Sequence, residues 1–371
     1  MSEKLRWGVL GTARIVRKTI PALQETKNGE VVGIASRTEE RAREYADKHG
    51  VPQAFGSYGA LLASPDIDAV YIALPNALHL EWILKSLDAG KHVLCEKPLA
   101  MSAAECEEIT RKAEETGLKV LEGFMYRFHP RFEKLQELLA AHAVGKLTFV
   151  HVGHSFDAGG DDNIRWYAGL GGGALFDTGC YCVNVSRMVT AQEPARVAGF
   201  GNYRDANDGG RIDTSIAGML RFPGGATALF DTGVNLERRN FLELTGTEGR
   251  LYLDNPFGLL EEDSVLEEHH FGQDTIYHEV KGENHFVRMG EHFADSVLNG
   301  TPLRYNLTDA ANNARVLEAL DREARKQDGA SEPGPHSGAG PPLGVGLETG
   351  SFGERHGANV GPSAPAPEVG T

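Results

Sequence analysis

Leu5-Arg6-Trp7-Gly8-Val9-Leu10 running into Gly11-Thr12-Ala13-Arg14-Ile15-Val16 decides the fold. The first six residues read as an apolar strand, and Gly11-Thr12-Ala13 reads as a turn. Ile15 to Leu23 has helical character, with Pro21 expected to kink or end it. The turn occupies the place of the G-x-G-x-x-G fingerprint, whose glycines permit a tight turn, backbone approach to a pyrophosphate and close helix–strand packing. Only the first glycine is kept. Ala13 is small enough for a backbone to approach a phosphate, and Val16 implies a wider helix–strand contact. Alone, the motif is equally a structural turn. The strand before it, the helix after it and the alternation that follows make it a dinucleotide-binding turn, with the pyrophosphate at the helix N-terminus.

Outward from that turn, strand and helix alternate. Glu30 to Ala35 is a second strand, Thr38 caps a helix that stops at Gly50, and Ala69 to Leu74 is a strand before the Pro75-Asn76 turn. Glu81 to Ala89 is a helix, Lys91 to Cys95 a strand, Ser102 to Thr116 a helix and Lys119 to Phe124 a strand. This is the signature of a doubly wound parallel sheet, an α/β Rossmann arrangement. The pattern then changes. After a helix over Arg131 to Ala143, residues 147–156, 196–203, 213–222, 226–234, 239–245 and 250–254 read as strands, and 284–299 and 308–326 as helices. Strand after strand predicts an open, mostly antiparallel sheet in a second α/β domain. The expected division is 1–125 for the nucleotide domain and 126–304 for a substrate and oligomerisation domain. A helix over 305–327 then packs back on the first domain, and a disordered tail spans 328–371. The tail holds eleven glycines and seven prolines in 44 residues, too little apolar surface to offset its ordering entropy.

The chain has 371 residues, 41% of them hydrophobic and 24% charged, which suits two ordinary globular domains. The net charge of −15 argues against nucleic acid as a partner. No long apolar run or signal peptide is visible, so no membrane partner and a cytoplasmic location are expected. Four cysteines make no disulfide framework. Cys180 and Cys182 read as small half-buried helix residues rather than part of a zinc site, so no metal is expected. His151/His154 and His269-His270 read as surface or sheet residues. Glu261-Glu262-Asp263 and Glu267-Glu268 read as a solvated loop or edge.

Ligands of an open parallel sheet lie at the carboxyl ends of its strands. The second strand ends in Ser36-Arg37-Thr38, with no acid before Glu39. An acid there would bind the ribose hydroxyls of NAD; Arg37 instead suits the extra phosphate of NADP, NAD remaining possible, and the alternative is a solvated arginine. Cys95-Glu96-Lys97-Pro98 closes the Lys91–Cys95 strand and aims an ammonium at whatever is bound. Gly171-Gly172-Gly173 leads into a helix with Asp177 and Tyr181 four residues apart, hence on one face. Lysine and tyrosine, with ordinary pKa values near 10.4 and 10, are poor bases at neutral pH. An ammonium beside a phenol favours the phenolate, which gives a reason to want Lys97 near Tyr181.

These residues, with Gly8-Val9-Leu10-Gly11-Thr12-Ala13, Ala35-Ser36-Arg37, Pro75-Asn76 and His79, Glu96-Lys97-Pro98, Glu122-Gly123-Phe124-Met125-Tyr126-Arg127-Phe128-His129-Pro130 and Gly171 through Tyr181, resemble the Gfo/Idh/MocA oxidoreductase family over roughly residues 5–326. The resemblance implies a Rossmann domain and a second α/β domain whose open sheet makes a homodimer or homotetramer interface. It implies that Lys97 approaches both the nicotinamide ribose and the substrate hydroxyl. The cofactor contacts it implies come from Gly11, Thr12, Ala13, Arg14 and Ile15, from Ser36 and Arg37, from Leu74, Pro75, Asn76 and His79, and from Glu96, Lys97, Arg165 and Trp166. Tyrosine at 181, where many members carry histidine, resembles the subgroup of NADP-dependent D-xylose dehydrogenases and dihydrodiol dehydrogenases. The expected activity is oxidation of an aldose at C1 to a lactone, with Lys97 and Tyr181 as the acid/base pair and Asp177 positioning. Dihydrodiol oxidation by the same residues and a non-catalytic NADP-binding regulator are the alternatives.

Overall fold

A computed structural model describes residues 4–328; the tail expected over 328–371 lies, but for Asp328, outside the described residues. Its first sheet contains β1 (Leu5–Leu10), β2 (Gly29–Ala35), β3 (Gln53–Phe55), β4 (Ala69–Ile72), β5 (His92–Cys95) and β6 (Val120–Glu122), in the spatial order β3-β2-β1-β4-β5-β6. All five pairings are parallel. This is the dinucleotide-binding strand order, which reverses between β1 and β4 and opens a crevice there. The helices of this half are α1 (Val16–Glu25), α2 (Glu39–His49), α3 (Tyr58–Leu62), α4 (His79–Asp88) and α5 (Ala103–Thr116). Thr38 caps α2 through its hydroxyl, as the sequence suggests, and Ser102, read as the first residue of its helix, instead caps α5 in the same way. The short β3 and α3 went unread.

Pro21 does not end α1, which runs on to Glu25. Pro21 and Arg17, four residues before it, are both exposed. The carbonyl that loses its helical donor there stays in reach of water, which lowers the penalty of an internal proline.

The second half holds α6 (Pro130–Ala140), β7 (Leu147–Asp157), α7 (Cys180–Thr190), β8 (Arg196–Asp205), β9 (Arg211–Arg221), β10 (Thr227–Gly233), β11 (Asn235–Gly246), β12 (Arg250–Asp254), β13 (Ser264–His269), β14 (Ile276–Val280), α8 (His285–Leu298) and α9 (Leu307–Asp328). Its eight strands lie in the order β14-β13-β12-β11-β7-β10-β9-β8. Only the β7–β10 pairing is parallel. One face packs on α7 and the helical layer, and the other carries the exposed Phe149, Phe200, Met219 and Leu229.

Two expectations fail here. Glu267-Glu268 is part of β13, not a solvated loop. Glu268 is buried because His270 Nε2 and His278 Nε2 meet its carboxylate at 2.7 and 2.8 Å. A run of acids hid this strand because its charge is neutralised by histidines on a hairpin of later sequence. Cys180 and Cys182 are fully buried rather than half-buried, because α7 is covered by β7 and β10 on one side and α9 on another.

Helix α9 joins the two halves. Ala310, Ala311 and Ala314 pack into the core around β4, β5 and α5. Val316, Leu317, Leu320 and Ala324 pack into the larger core that α7 and the second sheet share. Beside it, Asp309 accepts from Arg127 Nη1 at 2.6 Å and pairs with Arg187 Nη2 at 3.0 Å, while the Tyr305 hydroxyl donates to the Glu122 carbonyl at 2.6 Å. Because Leu320 is wholly buried at this joint, Leu320→Ala is expected to remove about 2–5 kcal/mol of stability, read as a lower urea midpoint; an unchanged midpoint would mean that α9 does not carry the joint.

Candidate active site

The crevice begins at Gly11, whose φ of +103° and whose distance to the Ala73 carbonyl exclude a side chain: a Cβ there would lie 2.6 Å from that oxygen. Only glycine brings β1 this close to the end of β4. The first turn of α1 has no side-chain cap and no acid, so no carboxylate opposes the positive end of its dipole, although the N–H groups of Val16, Arg17 and Lys18 bond back to the carbonyls of Ala13, Arg14 and Ile15. Thr12, Ala13 and Ile15 are half-buried around it and Arg14 is exposed. At the end of β2, Ser36 is buried and Arg37 is exposed. This arrangement fits a dinucleotide: a helix end with no side-chain cap for a pyrophosphate and an exposed cation where a ribose would lie.

On the other side of the switch point, Leu74, Pro75 and Asn76 follow β4. Asn76 Nδ2 donates to the Gly171 carbonyl at 3.0 Å, tying this turn to the glycine loop of the second half. His79 is buried, with Nδ1 2.7 Å from the Pro98 carbonyl and Nε2 2.9 Å from the Leu74 carbonyl. Both carbonyls are acceptors and burial favours the neutral ring, so the imidazole donates to one of them and packs against the other, between the two loops that flank the crevice. Glu96 accepts from the Tyr71 hydroxyl, and burial raises its carboxyl above the ordinary range. Trp166 Nε1 donates to the Gly160 carbonyl at 2.9 Å, with Arg204 over its ring at 4.9 Å.

Lys97 leaves the carboxyl end of β5 and reaches the second half. Its Nζ donates to the Asp177 carbonyl at 2.8 Å and to Asp177 Oδ1 at 3.1 Å. Arg165 holds the same carboxylate from the other side, Nε to Oδ2 at 2.5 Å and Nη2 to Oδ1 at 3.2 Å. Burial alone would raise the Asp177 carboxyl, but the Arg165 and Lys97 charges outweigh it and hold it below the usual carboxylate range. Burial likewise opposes the Lys97 charge, and Asp177 and Tyr181 more than offset it, so the ammonium is held more firmly than usual.

Asp177 sits in a single wide π-helical turn, Leu175–Gly179, that opens into α7. Tyr181 stands in the first turn of α7. Its ring lies under the ammonium, 4.9 Å from Lys97 Nζ to the centroid. Its hydroxyl faces Met125 Sδ at 3.6 Å. Phe124, Tyr126, His154 and Phe257 ring it at centroid distances of 5.5, 6.0, 5.3 and 5.1 Å. The ammonium favours the phenolate, the direction expected from the sequence, but it is not the larger influence on Tyr181. Lys97 does lower the phenol pKa, but burial among these rings raises it more, and the net direction is up. His154, read from sequence as a surface or sheet residue, is on β7 beside Tyr181, and burial followed by the Lys97 charge lowers its pKa to about 4.

The sequence brings Lys97, Asp177 and Tyr181 together as expected. It did not reveal that Arg165 pairs with Asp177, that Met125 touches the phenol, or that Asp213 on β9 receives the N–H groups of Ala174 and Leu175 at 2.9 and 2.7 Å. Ile212-Asp213-Thr214 are all buried, so the alternation that would have flagged an inward acid is absent there. A larger surface cleft of about 500 Å³ lies elsewhere, lined by Lys27, Arg288, Glu291 and Arg304; Arg288 and Arg304 are already engaged by Glu133, and none of the residues above contributes to it. Among the described residues no group of histidine, cysteine or acidic side chains is arranged to hold a metal, and no helix is long and apolar enough to cross a membrane.

A 3-2-1-4-5-6 sheet with an uncapped helix at its switch point, and a fixed ammonium beside a buried phenol, suit a nicotinamide-dinucleotide oxidoreductase. Residues 5–124 match the model of the oxidoreductase family with an NAD-binding Rossmann fold, and residues 132–252 match the GFO/IDH/MocA C-terminal domain. The chain belongs to the Gfo/Idh/MocA oxidoreductase family. It is similar to the D-xylose 1-dehydrogenase (NADP(+)) 2 of Haloferax volcanii, 36% identical, covering 86% of this chain and 97% of that one. It is also similar to the trans-1,2-dihydrobenzene-1,2-diol dehydrogenase of Xenopus tropicalis, 29% identical over 88% of this chain and 99% of that one. A 3-ketoreductase from Actinomadura kijaniata, solved with NADP and TDP-benzene, superimposes with a TM-score of 0.82 at 29% identity, covering 86% of this chain and 98% of that one.

Glu122, at the end of β6, supports the Lys97 loop by accepting from Leu99 N at 2.8 Å. Burial raises its carboxyl from the ordinary 4.5 to about 7. A pKa raised on folding adds stability that is full below the unfolded value and lost as pH rises through the folded one. Wild type should therefore lose on the order of 1–3 kcal/mol through this group between pH 5 and 8, and Glu122→Gln should not. Urea midpoints of both proteins at the two pH values measure it; parallel curves would show that Glu122 titrates alike in both states.

Proposed function

We propose that the protein oxidises a sugar, an aldose at C1, to the lactone with NADP as acceptor. The observation that carries this reading is the Lys97 ammonium held by Asp177 directly over the Tyr181 ring. The similarity to a D-xylose 1-dehydrogenase supports the substrate class. When bound, the nicotinamide supplies the hydride acceptor and the carbon chemistry. Gly11 to Ile15 would hold the pyrophosphate at the start of α1, Ser36 and Arg37 the ribose phosphate, and Leu74 to Asn76 the nicotinamide side of the crevice. His79 and Trp166, whose ring nitrogens meet backbone carbonyls, would shape those loops rather than touch the cofactor, and Glu96, with Oε1 on the Tyr71 hydroxyl, would line the nicotinamide side. Arg165 would fix Asp177.

Lys97 would orient the C1 hydroxyl and stabilise negative charge growing on its oxygen. Tyr181 would take the hydroxyl proton as the C1–H bond breaks, and return a proton in the reverse direction. Its raised pKa makes the phenol the resting form, so Tyr181 is ready as an acid and must ionise to act as a base. We assign the nucleotide part to residues 1–125, the substrate and oligomerisation part to 126–304 and the joining helix to 305–327. The apolar outer face around Leu229, flanked in register by Met219 and His151, is our choice for a homodimer or homotetramer surface.

Three outcomes test this. With D-xylose and NADP, turnover should rise with pH across the neutral range, because the reactive phenolate grows with pH. Tyr181→Phe should lower kcat by about 10²–10⁴-fold while NADP still binds, and near-normal turnover would remove Tyr181 from the chemistry. If a trans-dihydrodiol is oxidised and no aldose is, the residue roles stand and the substrate does not.

Arg37→Asp should weaken NADP by about 10–100-fold, the size of one charged hydrogen bond, and leave NAD much less affected. Fluorescence titration of both cofactors decides it; equal losses would remove Arg37 from phosphate recognition.

A further inference from the structure

Asp213 projects from β9 and is buried, yet it is neither part of the Lys97–Asp177–Arg165 cluster nor in contact with the phenol of Tyr181. One of its oxygens, Oδ2, accepts both Ala174 N at 2.9 Å and Leu175 N at 2.7 Å. These are among the first N–H groups of the helical segment that becomes the π turn and α7, donors that have no partner inside the segment. The residue before them is shaped to the same contact. Gly173 has φ +103°, and a Cβ on it would lie 2.3 Å from Asp213 Oδ1. The third glycine of Gly171-Gly172-Gly173 is thus explained by the carboxylate. Asp177 follows Leu175 by two residues and Tyr181 follows it by six, on a rigid helical path. A tilt of the segment's first turn moves both groups against Lys97, which is anchored on the other sheet.

We propose that Asp213 is a positioning residue of the reaction: by seating the N-terminus of the 174–190 segment, it sets Asp177 and Tyr181 in register with Lys97. This rests on the roles given to those residues above. The acceptor itself is what the geometry requires, since one oxygen takes both N–H groups. An asparagine oxygen can do the same, and asparagine and aspartate serve equally well at helix starts.

The experiment compares Asp213→Ala, Asp213→Asn and Gly173→Ala in the full chain. Asp213→Ala should lower kcat by about 100-fold, as small misplacements of reacting groups do, with the NADP Kd unchanged. Asp213→Asn should restore kcat to nearly the wild-type value, and Gly173→Ala, which crowds the carboxylate, should reproduce the loss. A cap that serves stability alone would lower the melting temperature and leave kcat of the folded enzyme untouched, which overturns the proposal. So does an asparagine variant as slow as the alanine one, or a loss confined to the NADP Kd. If Asp213→Ala does not fold, the other two variants decide by the same criteria. Amide hydrogen exchange over residues 174–181 gives a readout that needs no substrate. It should rise in Asp213→Ala or Gly173→Ala and stay at the wild-type level in Asp213→Asn. If wild type turns over no sugar or diol, the functional reading fails while the exchange result still decides whether Asp213 seats the segment.

Discussion

Everything at the centre of this molecule depends on one buried carboxylate between two cations. Asp177 receives Lys97 from the first sheet and Arg165 from the loop ahead of its own helix. Burying three charges is expensive, and such a cluster is weak support for stability. Its value lies in geometry. Lys97 has four flexible carbons, and without a fixed acceptor its ammonium would wander. Two hydrogen bonds, one to the Asp177 carbonyl and one to its side chain, hold it over the Tyr181 ring. Two positive charges against one negative leave a net positive charge at the mouth of the site. That surplus is what an alkoxide developing on a substrate oxygen would need.

The surrounding structure serves that contact from several directions. His79 stands between the loop after β4 and the loop after β5, within hydrogen-bond distance of the Leu74 and Pro98 carbonyls. Glu122 takes the Leu99 amide behind Lys97. The stretch Met125-Tyr126-Arg127-Phe128-His129-Pro130 after β6 is one of those that carry the family resemblance. In the structure it is chiefly a joint: the Tyr126 hydroxyl donates to Asn184 Oδ1 on α7 at 2.5 Å, Arg127 pairs with Asp309, and His129 Nδ1 caps α6 by accepting from Arg131 N at 3.2 Å. Only Met125 in this stretch touches the phenol.

The first sheet was legible in the sequence because each of its signals is local. Apolar runs ended by Gly11, Gly50, Gly90 and Gly117, with hydroxyl caps at Thr38 and Ser102, specify strand and helix without long-range information. The Lys97–Tyr181 pairing was legible for a related reason, since strand ends and helix faces are fixed by short-range periodicity. What escaped depends on partners distant in the chain. The buried state of Glu268 needs His278 across a hairpin, and the continuation of α1 through Pro21 needs a solvent-facing turn. Arg165 and Asp213 acquire their meaning only once β9 and the glycine loop meet. The direction of the Tyr181 shift escaped for a different reason. The sequence names a cation near the phenol, but not the four aromatic and imidazole rings that remove water from it.

That last point constrains the chemistry more than the motif does. A lysine beside a tyrosine suggests a ready phenolate, yet here desolvation exceeds the Coulombic help of Lys97. The same rings that raise the pKa also keep water from competing for the proton. A neutral phenol with a fixed ammonium beside it is a proton donor and an electrostatic clamp for an oxyanion, which is what the reduction of a carbonyl requires. Oxidation demands the conjugate state and so carries the cost of ionising a buried group. The groups are identical in the two directions, and only the proton inventory differs. Under the proposed function, the architecture fixes the participants and their distances, while pH and the redox state of the nicotinamide set the direction in which they run.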